Sequence, residues 1–234
     1  MKDSTDLCVY CDAPATTDDH VPPKNLFPKP RPSDLITVRS CESCNCGSKK
    51  DDEYFRNILV FHEDVTETTG GSKVWDTVKR SLRRPQARRF QRSLAASMFD
   101  DFVESDGGVT IGVAPKIQID AKRMNRVLHR TVKGLYANHF GSPMPASDKL
   151  VVYFEQHFQL FPDAIVDYLG DVVAYVTKRP HHRIGDDIFE YCYASVEDHP
   201  TSSAWAMRFY SSVYFLAINV PGDYAAHAMD ELSL

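Results

Sequence analysis

Apolar and polar positions divide the chain into stretches of different period. Residues 7–50 hold no long apolar run, and Val21-Pro-Pro-Lys-Asn-Leu-Phe-Pro-Lys-Pro-Arg-Pro excludes regular helix because proline lacks a donor and clashes with the preceding turn. From Asp51 to His62, Tyr54, Phe55, Ile58, Leu59 and Phe61 recur at helical spacing, and the acids in the first turn suit the helix dipole. Thr66 to Ser72 reads as a loop. Helical pattern returns at 73–84 and about 86–98, broken at Pro85. Residues 105–119 alternate as short strands around Gly107-Gly108. Asp120 is placed to cap a helix over 121–139 with Met124, Val127, Leu128, Thr131 and Leu135 on one face. Beyond Pro145 the pattern reads as antiparallel strand: Leu150–Phe158, Val172–Thr177, Ile188–Val196, and a hairpin at 204–220 broken near Tyr210-Ser-Ser.

These periods predict an α+β protein in which a small N-terminal module (1–65) precedes a helical and then antiparallel-β body (66–234). The 234 residues are 43% hydrophobic and 25% charged, which excludes a mainly disordered, collagen-like or low-complexity chain. No run approaches the roughly 18 apolar residues of a membrane helix. Met1-Lys-Asp-Ser-Thr-Asp lacks the apolar core of a signal peptide, so a cytoplasmic protein with no membrane partner is expected.

Charge changes this picture more than composition does. The net formal charge of −5 hides a basic middle: residues 71–140 carry 14 basic and 6 acidic groups, a net of +8. Arg83, Arg84, Arg88, Arg89 and Arg92 form one run; Lys122, Arg123, Arg126, Arg130 and Lys133 lie on the polar face of the 121–139 helix. Such a concentration is the footprint of a polyanion partner. A solvated face pairing with the acidic ends of the chain is the competing explanation.

Cysteine spacing supplies the first chemistry. Cys8 and Cys11 form one C-x2-C and Cys41 and Cys44 a second, with 29 residues between them. Two such knuckles suit a structural Zn²⁺, since each offers two thiolates to one side of the ion, and they give order to a segment that lacks a core. A redox pair or chance spacing is the weaker reading. Cys46 is either an inert thiol or a substitute ligand for Cys44. Cys192, in an aromatic strand, belongs to the core, as Trp75 and Trp205 do. His181-His182 near Lys178, Arg179 and Arg183 read as a solvated loop.

Between the cysteine pairs stands Asp18-Asp19-His20-Val21-Pro22-Pro23, and Asn45 follows the fourth cysteine directly. Imidazole is available as a base near pH 7, and carboxylate and amide oxygens are hard ligands suited to Mg²⁺ or Mn²⁺. The order C-x2-C, D-H-x-x-P, C-x2-C-N resembles the HNH endonucleases, over roughly residues 5–62. The resemblance implies a zinc-clamped ββα-metal module with His20 as general base and Asp19 and Asn45 holding one catalytic Mg²⁺ or Mn²⁺. It further implies hydrolysis of DNA, with RNA as an alternative substrate, in restriction or anti-phage defence, alongside a partner ATPase or a second copy of the chain. Lys24, Lys49, Lys50, Arg88, Arg89, Arg92, Arg126 and Arg130 are the candidate nucleic-acid contacts. The chain departs from the family twice: Asp34 stands where the middle Asn is usual, and no final His follows Asn45 closely, the next being His62. The alternative function is a non-catalytic zinc-containing module that binds nucleic acid or protein.

Overall fold

A computed structural model describes residues 7–105, 107–196 and 199–222. The chain starts with an antiparallel hairpin of β1 (Thr17–Val21) and β2 (Ile36–Ser40), in register from Thr17 opposite Ser40 to Val21 opposite Ile36. Two helices follow, the short α1 (Glu42–Cys46) and α2 (Lys49–Val60). Next come α3 (Glu63–Glu67), α4 (Thr69–Leu82), α5 (Arg88–Ala96), a second hairpin of β3 (Met98–Glu104) and β4 (Thr110–Ile117), and the long helix α6 (Ala121–Phe140). The remainder is β5 (Lys149–Phe154), α7 (Asp163–Val176), β6 (His182–Ile184), β7 (Phe189–Val196), β8 (His199–Phe209) and β9 (Val213–Val220). These last strands form one antiparallel sheet in the order β5-β9-β8-β7-β6. The α+β mixture expected from the sequence is present.

Helix α6 is the spine. Asp120 accepts the N–H of Arg123 at 3.2 Å as its N-cap, and Gly141 closes it in the left-handed conformation at φ 69°. Met124, Val127, Leu128, Thr131 and Leu135 are buried as their spacing predicts. At Gly134 a side chain would collide with Val21, whose Cγ2 lies 2.4 Å from an ideal Cβ, so glycine is what lets α6 press its backbone against β1.

The larger of two hydrophobic clusters among the described residues joins the hairpin region to the C-terminal sheet. It contains Val21, Leu26 and Val38 from the hairpin region, Phe55 and Leu59 from α2, and Phe189, Trp205, Phe209 and Phe215 from the sheet. Phe55 meets Phe209 edge-on at 5.3 Å between ring centres. Residue 65 therefore marks a change of composition, not a gap in the core.

Four elements differ from the sequence reading. The expected loop at 66–72 is the end of α3 and the start of α4: Thr68 Oγ1 accepts from Gly71 N at 3.0 Å, and Gly70 N donates to Asp187 Oδ2 at 3.1 Å, so caps and close packing override two glycines. The Val172–Thr177 run is the last part of α7, not a strand; Leu169 and Val176 are buried seven residues apart, a helical interval that the β-branched run disguised. Strand β3 begins at Met98, where helix was expected to end, and β5 stops at Phe154, short of the predicted Phe158.

Candidate metal centre and active site

The first C-x2-C folds as a tight turn, with Asp12 N donating to the carbonyl of Cys8 at 3.1 Å. The second straddles the start of α1: Cys41 is its N-cap, and Cys44 lies one turn on. Pairing of β1 with β2 brings the two together. The sulfurs of Cys8, Cys11, Cys41 and Cys44 all lie within 4.8 Å of one another, with Cys11 Sγ 3.6 Å from Cys41 Sγ and 3.5 Å from Cys44 Sγ. A tetrahedral zinc with Zn–S bonds of about 2.3 Å requires sulfurs about 3.8 Å apart, so the donor set and its spacing fit such an ion. Ser43 Oγ lies 3.0 Å from Cys41 Sγ; that hydroxyl and the N–H of Cys44 push the Cys41 thiol down to about 6, while burial and the neighbouring sulfurs of Cys11 and Cys41 push the Cys44 thiol far up. Cys46 is exposed and outside the cluster, while Cys192 is buried against Val176.

Strand β1 sends alternate side chains to opposite faces. Asp19 and Val21 turn inward beneath α6; Asp18 and His20 turn the other way. Among the described residues the His20 imidazole has no hydrogen bond or ion pair. Partial burial and the charge of Lys24 hold its pKa below the usual 6.5, with Arg31 adding to the effect and Asp19 and Asp18 opposing it. Asn45 donates its amide to Thr17 Oγ1 at 3.1 Å and to the carbonyl of Asp18 at 3.0 Å, which fastens α1 to β1.

Asp19 is committed elsewhere. Its Oδ1 accepts the backbone N–H of His20 at 3.0 Å; its Oδ2 accepts the Tyr10 hydroxyl at 3.1 Å and lies 3.2 Å from Arg130 Nε. Burial, followed by the charge of Asp19, pushes the Tyr10 phenol far up, so it remains a donor. The other end of Arg130 pairs with Asp52 in the first turn of α2. Oδ2 of Asp19 is thus shared by two protein donors within a buried network, while Oδ1 carries one backbone bond. The structure shows no hydrogen bond between Asp19 and Asn45, the two residues expected to share a catalytic Mg²⁺.

The basic positions divide in the same way. Lys24, Lys49, Lys50, Arg88, Arg89 and Arg92 are exposed and make no ion pair among the described residues. Arg126 and Arg130, expected on a nucleic-acid face, instead join Arg123 in holding the acids of α2: Arg123 Nε and Arg126 Nε reach Asp51 at 2.7 and 2.6 Å. Burial works against the Asp51 charge, but the bonds from Arg126 and Arg123 prevail and lower its pKa. Asp52 shows the opposite balance, burial lifting it to about 6 despite Arg130.

Asp34 is exposed in the turn before β2 and lines a polar groove with Arg31, Arg183 and Arg208, with no hydrogen bond to His20. His62 sits beyond the far end of α2, at the N-cap position of α3 but with no capping bond from its side chain. His181 is not a free loop histidine: its Nδ1 lies 2.7 Å from Glu190 Oε1. Sequence reasoning missed Tyr10, Thr17, Arg31 and the role of Arg130. The acids Asp51 and Asp52, matched to a basic stripe at 123, 126 and 130, were the available signal for the last. Among the described residues no helix is long and apolar enough to cross a membrane. Comparison of the chain with protein-family models, curated proteins and solved structures returned no match.

Proposed function

We propose that the chain is an HNH-type endonuclease that hydrolyses phosphodiester bonds of DNA, with His20 as general base. The observation that carries this reading is the state of His20: an imidazole on the open face of a cysteine-clamped hairpin, kept neutral near pH 7 and free of protein partners among the described residues, while its own backbone is fixed. A neutral imidazole so placed takes a proton from the water that attacks phosphorus, a contribution on the order of 10²–10⁴-fold. Lys24 and Arg31 stand near enough to depress its pKa, and the same charges favour an approaching phosphate. Arg88, Arg89 and Arg92, free of acidic partners among the described residues, offer a second exposed basic run on α5. The motif resemblance points to a role in restriction or anti-phage defence, where a phage challenge of cells carrying His20→Ala is the direct check.

A plasmid assay with Mg²⁺, Mn²⁺ or EDTA tests the activity. Nicking or linearisation by the purified chain, lost in His20→Ala with zinc content unchanged, is the expected result. Equal cleavage by the variant would remove the mechanism. A second reading, a zinc-containing module that binds nucleic acid or protein without cutting it, is favoured by the burial of Asp19 against Arg130. Tight binding with no cleavage under any metal is its signature.

A further inference from the structure

We infer that Arg130 is a positioning residue of the His20 site, and that α6, rather than a metal ion, supplies the cation Asp19 requires. The inference rests on the reading of His20 as the working base. It begins from two carboxylates and one guanidinium in a place with little water. The side chains of Asp19, Asp52 and Arg130 are 8%, 14% and 10% exposed. A carboxylate so enclosed needs its charge answered and its lone pairs filled. Asp19 has its charge answered by the guanidinium of Arg130, and the hydroxyl of Tyr10 and the N–H of His20 take further lone pairs. The planar fork of Arg130 reaches β1 through Asp19 and α2 through Asp52, two directions that a lysine ammonium on its flexible stem would not hold rigidly. One helical turn beyond, Gly134 brings α6 against Val21, the residue after His20.

The chain of contacts therefore runs from α6 through a buried carboxylate to the one backbone N–H that sets where the His20 imidazole starts. Helix α6 lies outside the ββα segment in sequence, yet it completes that segment in space. A divalent ion would find Oδ2 of Asp19 already shared by Arg130 and Tyr10 and would have to bind through Oδ1, beside the N–H of His20.

Three readouts independent of cleavage test this on the full chain: Mn²⁺ binding by electron paramagnetic resonance, hydrogen exchange of the β1 amides, and the His20 ring resonances. In Asp19→Asn, Mn²⁺ affinity should stay within about twofold of the parent. In Arg130→Gln, the His20 amide should exchange at least tenfold faster than the change shared by its β1 neighbours, and the ring resonances should move; Arg130→Lys should restore part of the melting temperature but not the ring signature. Tyr10→Phe, which leaves the ion pair in place, serves if Arg130→Gln does not fold, and should give a smaller shift of the same sense. A tenfold loss of Mn²⁺ affinity in Asp19→Asn would show that Asp19 is a metal ligand in the parent chain and overturn the inference. Uniform exchange across β1 with an unmoved ring would reduce Arg130 to general stability and overturn it equally. A chain that cuts no plasmid but shows the local His20 response would sink the nuclease reading alone.

Discussion

The hydroxyl of Tyr210 donates a 2.7 Å hydrogen bond to the carbonyl of Leu26, and both residues are fully buried. Tyr210 sits in the turn between β8 and β9; Leu26 lies in the proline-rich segment that follows His20. The bond spans 184 positions of sequence and attaches the loop beside the candidate base to the C-terminal sheet. Burial pushes the Tyr210 phenol far above its usual pKa, so it donates at every pH where the fold survives. The sheet thus contributes to the site by holding its loop, whatever else it does.

Tyr210→Phe should destabilise the chain by about 1–3 kcal/mol, the cost of leaving a buried carbonyl without its donor. Urea unfolding measures the loss, and limited proteolysis should find new cuts between residues 22 and 34. Unchanged stability and an uncut loop would mean that the cysteine cluster holds this segment without help from the sheet.

Purified protein should contain one zinc per chain. Because a single apolar cluster joins the hairpin to the sheet, chelation should lower one shared melting transition and not release a separate N-terminal one. Cys41→Ser should do the same, since it removes one of four converging sulfurs. Elemental analysis with calorimetry decides the point, and folded protein free of zinc would refute it.

Much of this architecture was legible in sequence because local signals agreed with tertiary ones. The spacing of the four cysteines favoured one reading over its rivals, and the cap at Asp120 and the apolar face of α6 agreed with each other. The helix α7 was hidden because Val172, Val173 and Val176 look like a strand when read as a run; their helical interval shows only when Leu169 is included. The site was legible as a motif but not as a geometry. Asp19 and His20 are adjacent in sequence, and strand alternation alone places them on opposite faces. What turned Asp19 inward was a guanidinium 111 positions away, and no local pattern announces such a partner.

The rate of cleavage should fall on the acid side of the pH profile, at a pH below the 6.5 of an ordinary histidine. Burial first, then Lys24, lowers the folded-state pKa of His20, so the neutral base persists to lower pH than in a free imidazole. The effect on stability has a matching sign. A group with a depressed folded-state pKa disfavours protonation in the fold, so its contribution is full above the unfolded value and is lost as pH falls through the folded one. Lys24→Ala should move the acid limb toward higher pH. A limb that stays in place would mean another group controls it.

The arginines of the basic middle should separate into two kinds by experiment. Arg88, Arg89 and Arg92 lie on α5, a helix with no buried residue, and pair with no acid among the described residues. Replacing all three with Gln should leave the melting temperature nearly unchanged and flatten the salt dependence of DNA binding by about 0.9 for each phosphate no longer neutralised. Arg126 is more than half exposed and bonded to Asp51; its removal should cost no more than about 1 kcal/mol, as exposed pairs do, with the salt slope intact. Arg130→Gln strands two buried carboxylates and should cost about 3–5 kcal/mol. Filter binding across a salt series, run beside thermal melts, distinguishes these outcomes. A triple variant that melts early yet keeps its salt slope would show that α5 is held by its charges and that the nucleic acid is met elsewhere, with Lys24, Lys49 and Lys50 among the exposed cations near the hairpin in sequence.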